Sequence, residues 1–553
     1  MNKILKIAII VDDLFVSDHI ADLINWSENI DSIDISNFIY LVNDKEDRLP
    51  TKSRLQKILS IDFWKQYPRR KLKNFIVSFE KKRNLKNNKI HKKLIDKHNL
   101  NNFGLKKIEV NQESTKSKVS FRATQKSIDI LKKEQFDLFI RFNKKIIRGD
   151  LLTVTNFGIL SMHHGSDLNY RGGPSGFWEV YNSDNKSGYI IQQLTEELDN
   201  GNILFRGFIS TQKSWLLNKS ELNIRSFFYL KKIIREISET YELPNFLVNI
   251  PYSKNLNTDP TIFVMIKYLF KKFKNKQDSK KFKNADNRYL VGYQEGEWGS
   301  LNYRNANFIK NPDNTFLADP FIISKNHKNY CFLESYDYFL DKGTIDVYEL
   351  TRNNSEFLGT AIEEEFHLSF PYLLEVDNEI YLIPESSKNR DIRLYKSIDF
   401  PLKWKLENVI IDDIDASDSI IFHRDNLWWL LTNVDELGLG DHNYQMNIYY
   451  SDNLLSQDWK PHNLNPVILN PSFGRNGGFL KKGENFYRVA QKYGFNQKYG
   501  EGITIRKIQE ITINSYVEEE IATYSDFHDD RVLGSHHLSS NNIFTVFDIW
   551  KRP

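Results

Sequence analysis

Cysteine is almost absent: the 553 residues contain one, Cys331. A single thiol excludes an internal disulfide and any zinc site built on cysteines within one chain, and it suits a reducing compartment. No run of 18 apolar residues occurs, so no transmembrane helix is expected. The opening MNKILKIAIIVDD has its apolar run broken by Lys6 and ended by Asp12. That is too short for a secretory core and reads as a buried first strand, with the cytoplasm as the expected location. Glycine is missing from VDDLFVSDH, the segment after that strand. The GxGxxG fingerprint is therefore lacking, which disfavours nicotinamide and flavin cofactors. Charge of one sign is scarce as well: 76 Lys and Arg against 72 Asp and Glu leave a net charge of only +4.

What is present is length and apolar material. With 40% hydrophobic and 14% aromatic residues, the chain supports two to four packed domains. In the first part, KIAIIV and FDLFIRF are short apolar runs suited to a sheet buried on both faces, and SDHIADLINW and SIDILKKEQ have helical spacing. This alternation predicts an α/β domain over residues 1–250 with a mostly parallel, Rossmann-like sheet. Residues 69–108 are rich in Lys and Arg, which reads as a solvated helical face or an insertion, with a phosphorylated substrate or an anionic membrane as the other options. The run lacks interleaved aromatics for base stacking, so nucleic acid is not an expected partner. Residues 251–287 form a basic helix or linker; FKKFKNKQDSKKFKNADN loses apolar periodicity after its first turn and reads as linker.

From 288 to 553 short strands rich in Tyr, Trp and Phe recur. LYKSIDFPLKW (394–404) is echoed by IYYSDNLLSQDW (448–459), with Tyr395 and Tyr449 54 residues apart. Several strands in a period of that order indicate a propeller. FLADPFII, HLSFPYLL, DASDSIIF, FGRNGGFL and LGSHHLSS are five blade-like starts, so an all-β five-bladed propeller is expected.

Residues 136–204 contain SMHHGSDLNYRGG, SGYIIQQL and LDNGNIL in fixed order, with 36 residues between His163 and Asp199. This set resembles the folate-dependent formyltransferase family. The resemblance implies a formyltransferase fold and 10-formyltetrahydrofolate as formyl donor. It makes His163 the proton-transfer residue and Asp199 its carboxylate partner, roles that imidazole and carboxylate chemistry suits. Ser161 stands where the family has asparagine. It serves as donor to the oxyanion, or His164 takes over that task, or the site is weakened; a shifted alignment would make His164 the catalytic histidine. Arg141, Phe142, Asn143, Leu198 and Gly201 are the implied folate contacts, and Tyr170, Arg171 and Gly172 the implied substrate contacts. No metal is expected there, because adjacent strand residues point to opposite faces.

The segments FLADPFII, YCFLESY, HLSFPYLLE, YLIPES, RNGG and GSHHL resemble the propeller-type domain that accompanies the glycosyltransferase in plant glucosamine inositolphosphorylceramide transferases. More distantly they are similar to five-bladed glycosidases. Inner strands of a propeller line its channel, which would gather Asp319, Asp418, Arg475, Asn476, His536 and His537, with Glu334 and Glu385 on second strands. Such carboxylates bind sugar or, as an acid and base pair, hydrolyse a glycosidic bond. The leading expectation is an N-formyltransferase acting on an amino sugar, nucleotide-linked or part of a surface-glycan precursor. The alternatives are a formyltetrahydrofolate hydrolase, or a glycan-binding or glycosidase propeller protein with a decayed formyltransferase domain. A homo-oligomer is compatible with either.

Overall fold

A computed structural model describes residues 3–43, 61–86, 88–115, 119–165, 170, 172–197, 201–248, 257–283, 288–495, 498–525 and 532–551. Arg171, Leu198 and Asp199 lie outside the described residues. The chain divides into two compact units, Met1–Lys274 and Asn275–Pro553.

The first unit is built on strands β1 (Leu5–Val11), β2 (Ile33–Asn43), β3 (Lys106–Ser114), β4 (Ser120–Ala123), β5 (Leu138–Arg141), β6 (Ile146–Arg148), β7 (Ile159–His164), β8 (Lys186–Gln193) and β9 (Asn202–Ser210). Their order across the sheet is β9-β8-β7-β5-β1-β2-β3-β4-β6. The five central strands β7-β5-β1-β2-β3 are parallel. Ile7, Ala8, Ile9 and Ile10 of β1 are all essentially buried, which explains why its sequence is continuously apolar rather than alternating. β8 runs antiparallel to β7, β9 antiparallel to β8, and β4 antiparallel to β3. The sheet is thus mixed: the parallel expectation holds for its centre and fails at its edges. The finer assignment to a formyltransferase fold rests on the sequence resemblance alone. From β1 the chain builds outward to β2 and β3 on one side and later to β5 and β7 on the other. That reversal opens a crevice at the carboxyl ends of β1 and β5, the usual ligand position in open α/β sheets.

Its main helices are α1 (Asp18–Ser27), α2 (Ile61–Glu80), α3 (Gln125–Glu134), α4 (Phe177–Asn182) and α5 (Trp215–Thr240), and α6 (Ile262–Lys283) begins in this unit and runs past the division at Lys274. Buried Glu80, the last residue of α2, accepts a hydrogen bond from Leu216 N at 2.9 Å. It thereby satisfies an orphan donor at the start of α5, where a negative charge is favoured. Residues 270–283, read as linker from their lost periodicity, are helical. Lysine and glutamine are good helix formers without an apolar stripe. Among the described residues no helix is long and apolar enough to cross a membrane.

The second unit is a ring of five four-to-five-stranded antiparallel sheets, formed by residues 315–362, 369–412, 416–469, 476–524, and 532–551 with 288–308. All five expected starts open a blade, and their first strands neighbour one another in a closed circle. The 394–404 and 448–459 echo is the repeated end of blades two and three. In each, a tryptophan Nε1 donates to a carbonyl three residues earlier, Trp404 to Pro401 and Trp459 to Ser456. The fifth blade is a joint between chain segments: Arg288–Glu295 pairs along its whole length with the last strand, Phe544–Lys551. Val546, in the middle of that joint, is completely buried. Val546→Asp puts an unpaired carboxylate there and should cost about 3 kcal/mol or more. For a unit of this size that lowers the unfolding midpoint by roughly 6–12 °C, measurable by calorimetry of the full chain.

Candidate functional site

Two constellations of chemical groups stand out, one in each unit. In the first, Phe142 N donates to Ile10 O at 2.9 Å and Lys144 N to Asp12 Oδ2 at 3.0 Å, pinning the loop after β5 to the end of β1. Arg141 Nε donates to Asn143 Oδ1 at 3.3 Å, and Asn143 Nδ2 to Lys145 O at 2.7 Å. This loop, the end of β1 and the end of β7 enclose a cleft of about 470 Å³ lined by Asp12, Arg141, Asn143, Ser161 and His163. A second, tighter cleft of about 70 Å³ lies against Arg148, Ser161, His163, Gln192, Glu197 and Gly201. Ser161 and His163 border both. They are two residues apart on β7, hence on the same face, and pair with Gln192 and Ile190 of β8.

His164 also lines the larger cleft, but its Nε2 is turned to Ser226 Oγ on α5 at 2.8 Å. Burial and then the charge of Lys219 push its pKa down to about 3, which keeps it neutral. Phe142 stacks on Phe227 of α5 with centroids 5.6 Å apart. Gly201 lies so close to β8 that a Cβ would stand 2.6 Å from Gln193 O; only glycine fits. Tyr170 is tied to the end of α4, with its hydroxyl on the Asp184 carboxylate and accepting from Asn182 Nδ2. Gly172 bridges to Asn257. Phe177 packs in the core on Trp215 and Tyr268, as an aromatic opening a helix should. Sequence reading missed Asp12 and Gln192, which carry no motif and reach the clefts only through strand order.

In the propeller the first strands of blades one to four share a device. Register breaks between Ala318 and Phe321, Ser369 and Tyr372, Ser417 and Ile420, and Asn476 and Phe479. The residues skipped are Asp-Pro, Phe-Pro, Asp-Ser and Gly-Gly. Asp319, Phe370 and Asp418 have φ of 49°, 44° and 51°, and Gly478 has 130°. These are β-bulges, which re-aim side chains. Aspartate tolerates the left-handed region and proline needs no ladder partner there. Buried Phe370 is the strained member, at a cost of about 1–3 kcal/mol. It packs on Phe321 and His537. The residue before each bulge pairs with Glu334 in blade one, Glu385 in blade two and Asn433 in blade three.

The bulges bring most of the expected residues to the axis. His536 Nε2 stands 3.0 Å from Asp319 Oδ1 and its Nδ1 3.0 Å from Asp548 Oδ2, all buried. Burial lowers the imidazole pKa, but Asp548 and Asp319 outweigh it and raise it to about 10. Burial alone would raise the Asp319 carboxyl; the His536 charge holds it below the ordinary range. Burial, then Asp319 and Glu385, push Glu334 well above the usual carboxyl value. Burial and then Asp418 push Glu385 up to about 8, against the pull of Arg475. Arg475 Nε binds Asp418 Oδ2 at 2.5 Å, and its Nη2 is 3.8 Å from Glu385 Oε2. His367 Nε2 approaches Glu334 Oε1 at 3.6 Å.

Asn476 is engaged in architecture, donating to Asp418 O and Leu431 O. His537 sits edge-on to Phe321 and Phe370, and burial lowers its pKa to about 4. Asp319, His536 and Asp548 each offer one atom within 4.8 Å of the others, a donor set a cation could use. Both imidazole nitrogens already face carboxylates, however, so a protonated His536 fills that place. Asp548 and His367 were missed from sequence; the first lies on the closing strand, and the second opens the HLSFPYLL start two residues before the strand itself.

Residues 304–532 match the family model described as glucosamine inositolphosphorylceramide transferase 1, N-terminal. Glucosamine inositolphosphorylceramide transferase 1 of Arabidopsis thaliana is 39% identical over 213 residues, covering 37% of this chain and 27% of the relative. The protein of the same name from Oryza sativa subsp. japonica is 35% identical over 209 residues, covering 37% and 27%. The chain thus spans about a quarter of the length of these relatives. Among solved structures, a thermostable family-43 glycoside hydrolase aligns at 16% identity and TM-score 0.34, over 43% of this chain and 88% of that one. A family 117 glycoside hydrolase from Zobellia galactanivorans aligns at 15% and 0.32, over 48% and 90%. The family match and the curated relatives give the formyltransferase resemblance of residues 136–204 no support.

A histidine whose pKa is raised on folding stabilises the fold fully below its unfolded value of about 6.5, and that contribution fades as pH rises through the folded value. For His536 the window runs from about 6.5 to about 10. The unfolding midpoint of the propeller should therefore fall more steeply across this range than that of His536→Gln, as followed by calorimetry. Parallel curves for the two proteins would refute the buried imidazolium.

Proposed function

We propose that this chain is a carbohydrate-handling protein whose propeller axis binds a sugar. One observation carries the reading: Asp418 and Glu385, from two blades, meet one guanidinium, and carboxyl groups of the first two blades are held in different protonation states. Asp319 is held ionised, Glu385 is pushed up to about 8, and Arg475 bridges Asp418 towards Glu385. A protonated carboxyl donates and an ionised one accepts, so the axis offers both partners that sugar hydroxyls require. The matched relatives, named for glucosamine and inositolphosphorylceramide, support a sugar ligand and make glucosamine the first probe. A carboxylic acid beside a carboxylate is also what glycoside hydrolysis needs, so release of reducing sugar belongs in the same assay.

A second reading is favoured in the α/β unit by the position of His163 between two clefts. Two clefts sharing one imidazole suit a transfer between two bound molecules, with His163 moving the proton. The finer form of this proposal is formyl transfer to an amino sugar. The larger cleft is of a size that takes a small-molecule ligand, and Arg141, Asn143 and Ser161 would hold the donor. When bound, 10-formyltetrahydrofolate would supply the formyl carbon that the amine attacks.

Titration calorimetry of the full chain with glucosamine and with glucosamine-terminated oligosaccharides tests the first reading. Arg475→Ala and Glu385→Gln should each weaken binding about 10- to 100-fold, as expected for a lost charged hydrogen bond; heats identical in wild type and variants would reject it. The second reading is tested by incubation with 10-formyltetrahydrofolate and nucleotide-linked amino sugars, read by mass spectrometry. His163→Ala should remove the added formyl mass and His164→Ala should retain it. No formylated product from wild type would set formyl transfer aside without touching the sugar-binding reading.

A further inference from the structure

Helix α6 exposes a face that neither reading uses. Met265 and Tyr268 anchor it, each about 1% exposed, and Tyr268 donates to Glu80 Oε1 at 2.6 Å while accepting from Trp215 N at 2.9 Å. On the other side Phe263, Ile266, Phe270 and Phe273 are 80, 39, 71 and 63% exposed. Their spacing of three, four and three residues places all four within roughly 80° of the helix circumference. Lone exposed apolar side chains are ordinary, but an aligned stripe of three phenylalanines and an isoleucine marks a contact surface.

The sequence of α6 is strongly basic: residues 262–283 contain eight lysines and one acidic residue, Asp278. Exposed Lys267 borders the stripe, and Lys272 Nζ ties α6 to Glu80 at 2.5 Å. The neighbouring α2 has its own exposed pair, Phe75 and Phe79, stacked with centroids 6.3 Å apart. Exposed Lys71 precedes them, and exposed Lys81, Lys82 and Arg83 follow. A second copy of this chain is a poor occupant, since pairing would set two lysine-rich faces against each other. Phenylalanines flanked by lysines match instead the boundary between acyl chains and negatively charged headgroups.

We propose that α6, assisted by the exposed aromatics of α2, lies in the plane of an anionic lipid bilayer. Phe263, Phe270 and Phe273 enter the acyl boundary, and exposed Lys267, Lys71, Lys81, Lys82 and Arg83 rest among the headgroups, without crossing the membrane. The proposal is independent of what either constellation binds.

The experiment is co-sedimentation of the full chain with vesicles of phosphatidylcholine and phosphatidylglycerol in a two-to-one ratio, beside phosphatidylcholine alone. Binding is expected on the mixed vesicles, weakening as salt is raised, and much less on the neutral ones. Phe263→Ser, Phe270→Ser and Phe273→Ser combined should weaken partitioning about tenfold or more at an unchanged thermal midpoint. Lys267→Gln should weaken it about fivefold. A probe that does not depend on the triple variant folding is Phe270→Cys labelled with an environment-sensitive fluorophore, Cys331 being buried. Its emission should shift to the blue with mixed vesicles. Absence of binding to mixed vesicles, binding unchanged in the triple variant, or an unshifted label overturns the proposal. So does a concentration-dependent dimer in light scattering that the triple variant abolishes while vesicles stay bare.

Discussion

The second unit depends on the placement of Asp548. One carboxylate oxygen accepts from the backbone nitrogens of His536 and His537 at 2.9 and 3.1 Å, and the other accepts from Asp319 N at 3.3 Å. The same carboxylate faces the His536 imidazole. Through this one side chain the last strand, the first strand of blade five and the first strand of blade one are fixed to each other. A buried carboxylate alone would be costly; three backbone donors and an imidazolium make it tenable. Ring closure and the electrostatics of the axis are therefore a single problem with a single solution. Because His536 is held charged, Asp319 stays ionised. Burial, and then the neighbouring carboxylates, push Glu334 and Glu385 on the second strands towards their neutral forms.

The two units arrive at concentrated polar groups by different backbone means. In the α/β unit, parallel strands end together at one sheet edge, and the reversal of strand order beside β1 leaves an opening there. Alternation along β7 then decides the fate of adjacent histidines: His163 borders both clefts, and His164 borders the larger one alone with its ring against Ser226 on α5. In the propeller the strands are antiparallel and the openings are made by bulges. At Asp319 and Asp418 a residue in the left-handed region turns an acid towards the axis. Blade two keeps the bulge but carries Phe370, so its place at the axis is apolar, and its polar contribution comes from Glu385 on the second strand.

Much of the propeller was legible in the chain. The first four blade starts share a common texture because each carries the same bulge, and Asp-Pro, Phe-Pro and Gly-Gly are what such a bulge tolerates. Asp319, Asp418, Glu334, Glu385, Arg475 and His536 could be named from that repetition. Asn476 and His537 matched it equally well, yet one holds backbone carbonyls and the other is caged by Phe321 and Phe370. Repetition reports position along a strand and not which neighbour a side chain meets. Residues 251–287 stayed between helix and linker for a related reason: lysine-rich sequence without an apolar period gives no sign of a helix beyond its propensity.

By itself the sequence determined the local items: apolar runs that become strands, the five-fold recurrence of blades, the bulge-forming dipeptides, and the charge of α6. Those follow from backbone sterics and side-chain propensity, which act over a few residues. Only the tertiary structure decided that Asp548 clamps His536, that Asp12 pins the loop after β5, and that His163 borders two clefts while His164, at the wall of the larger one alone, bonds Ser226. These relations join residues from about 10 to more than 200 positions apart. A chain acquires them only when strand order and ring closure bring the partners together, because charges and hydrogen bonds act through space and not along the sequence.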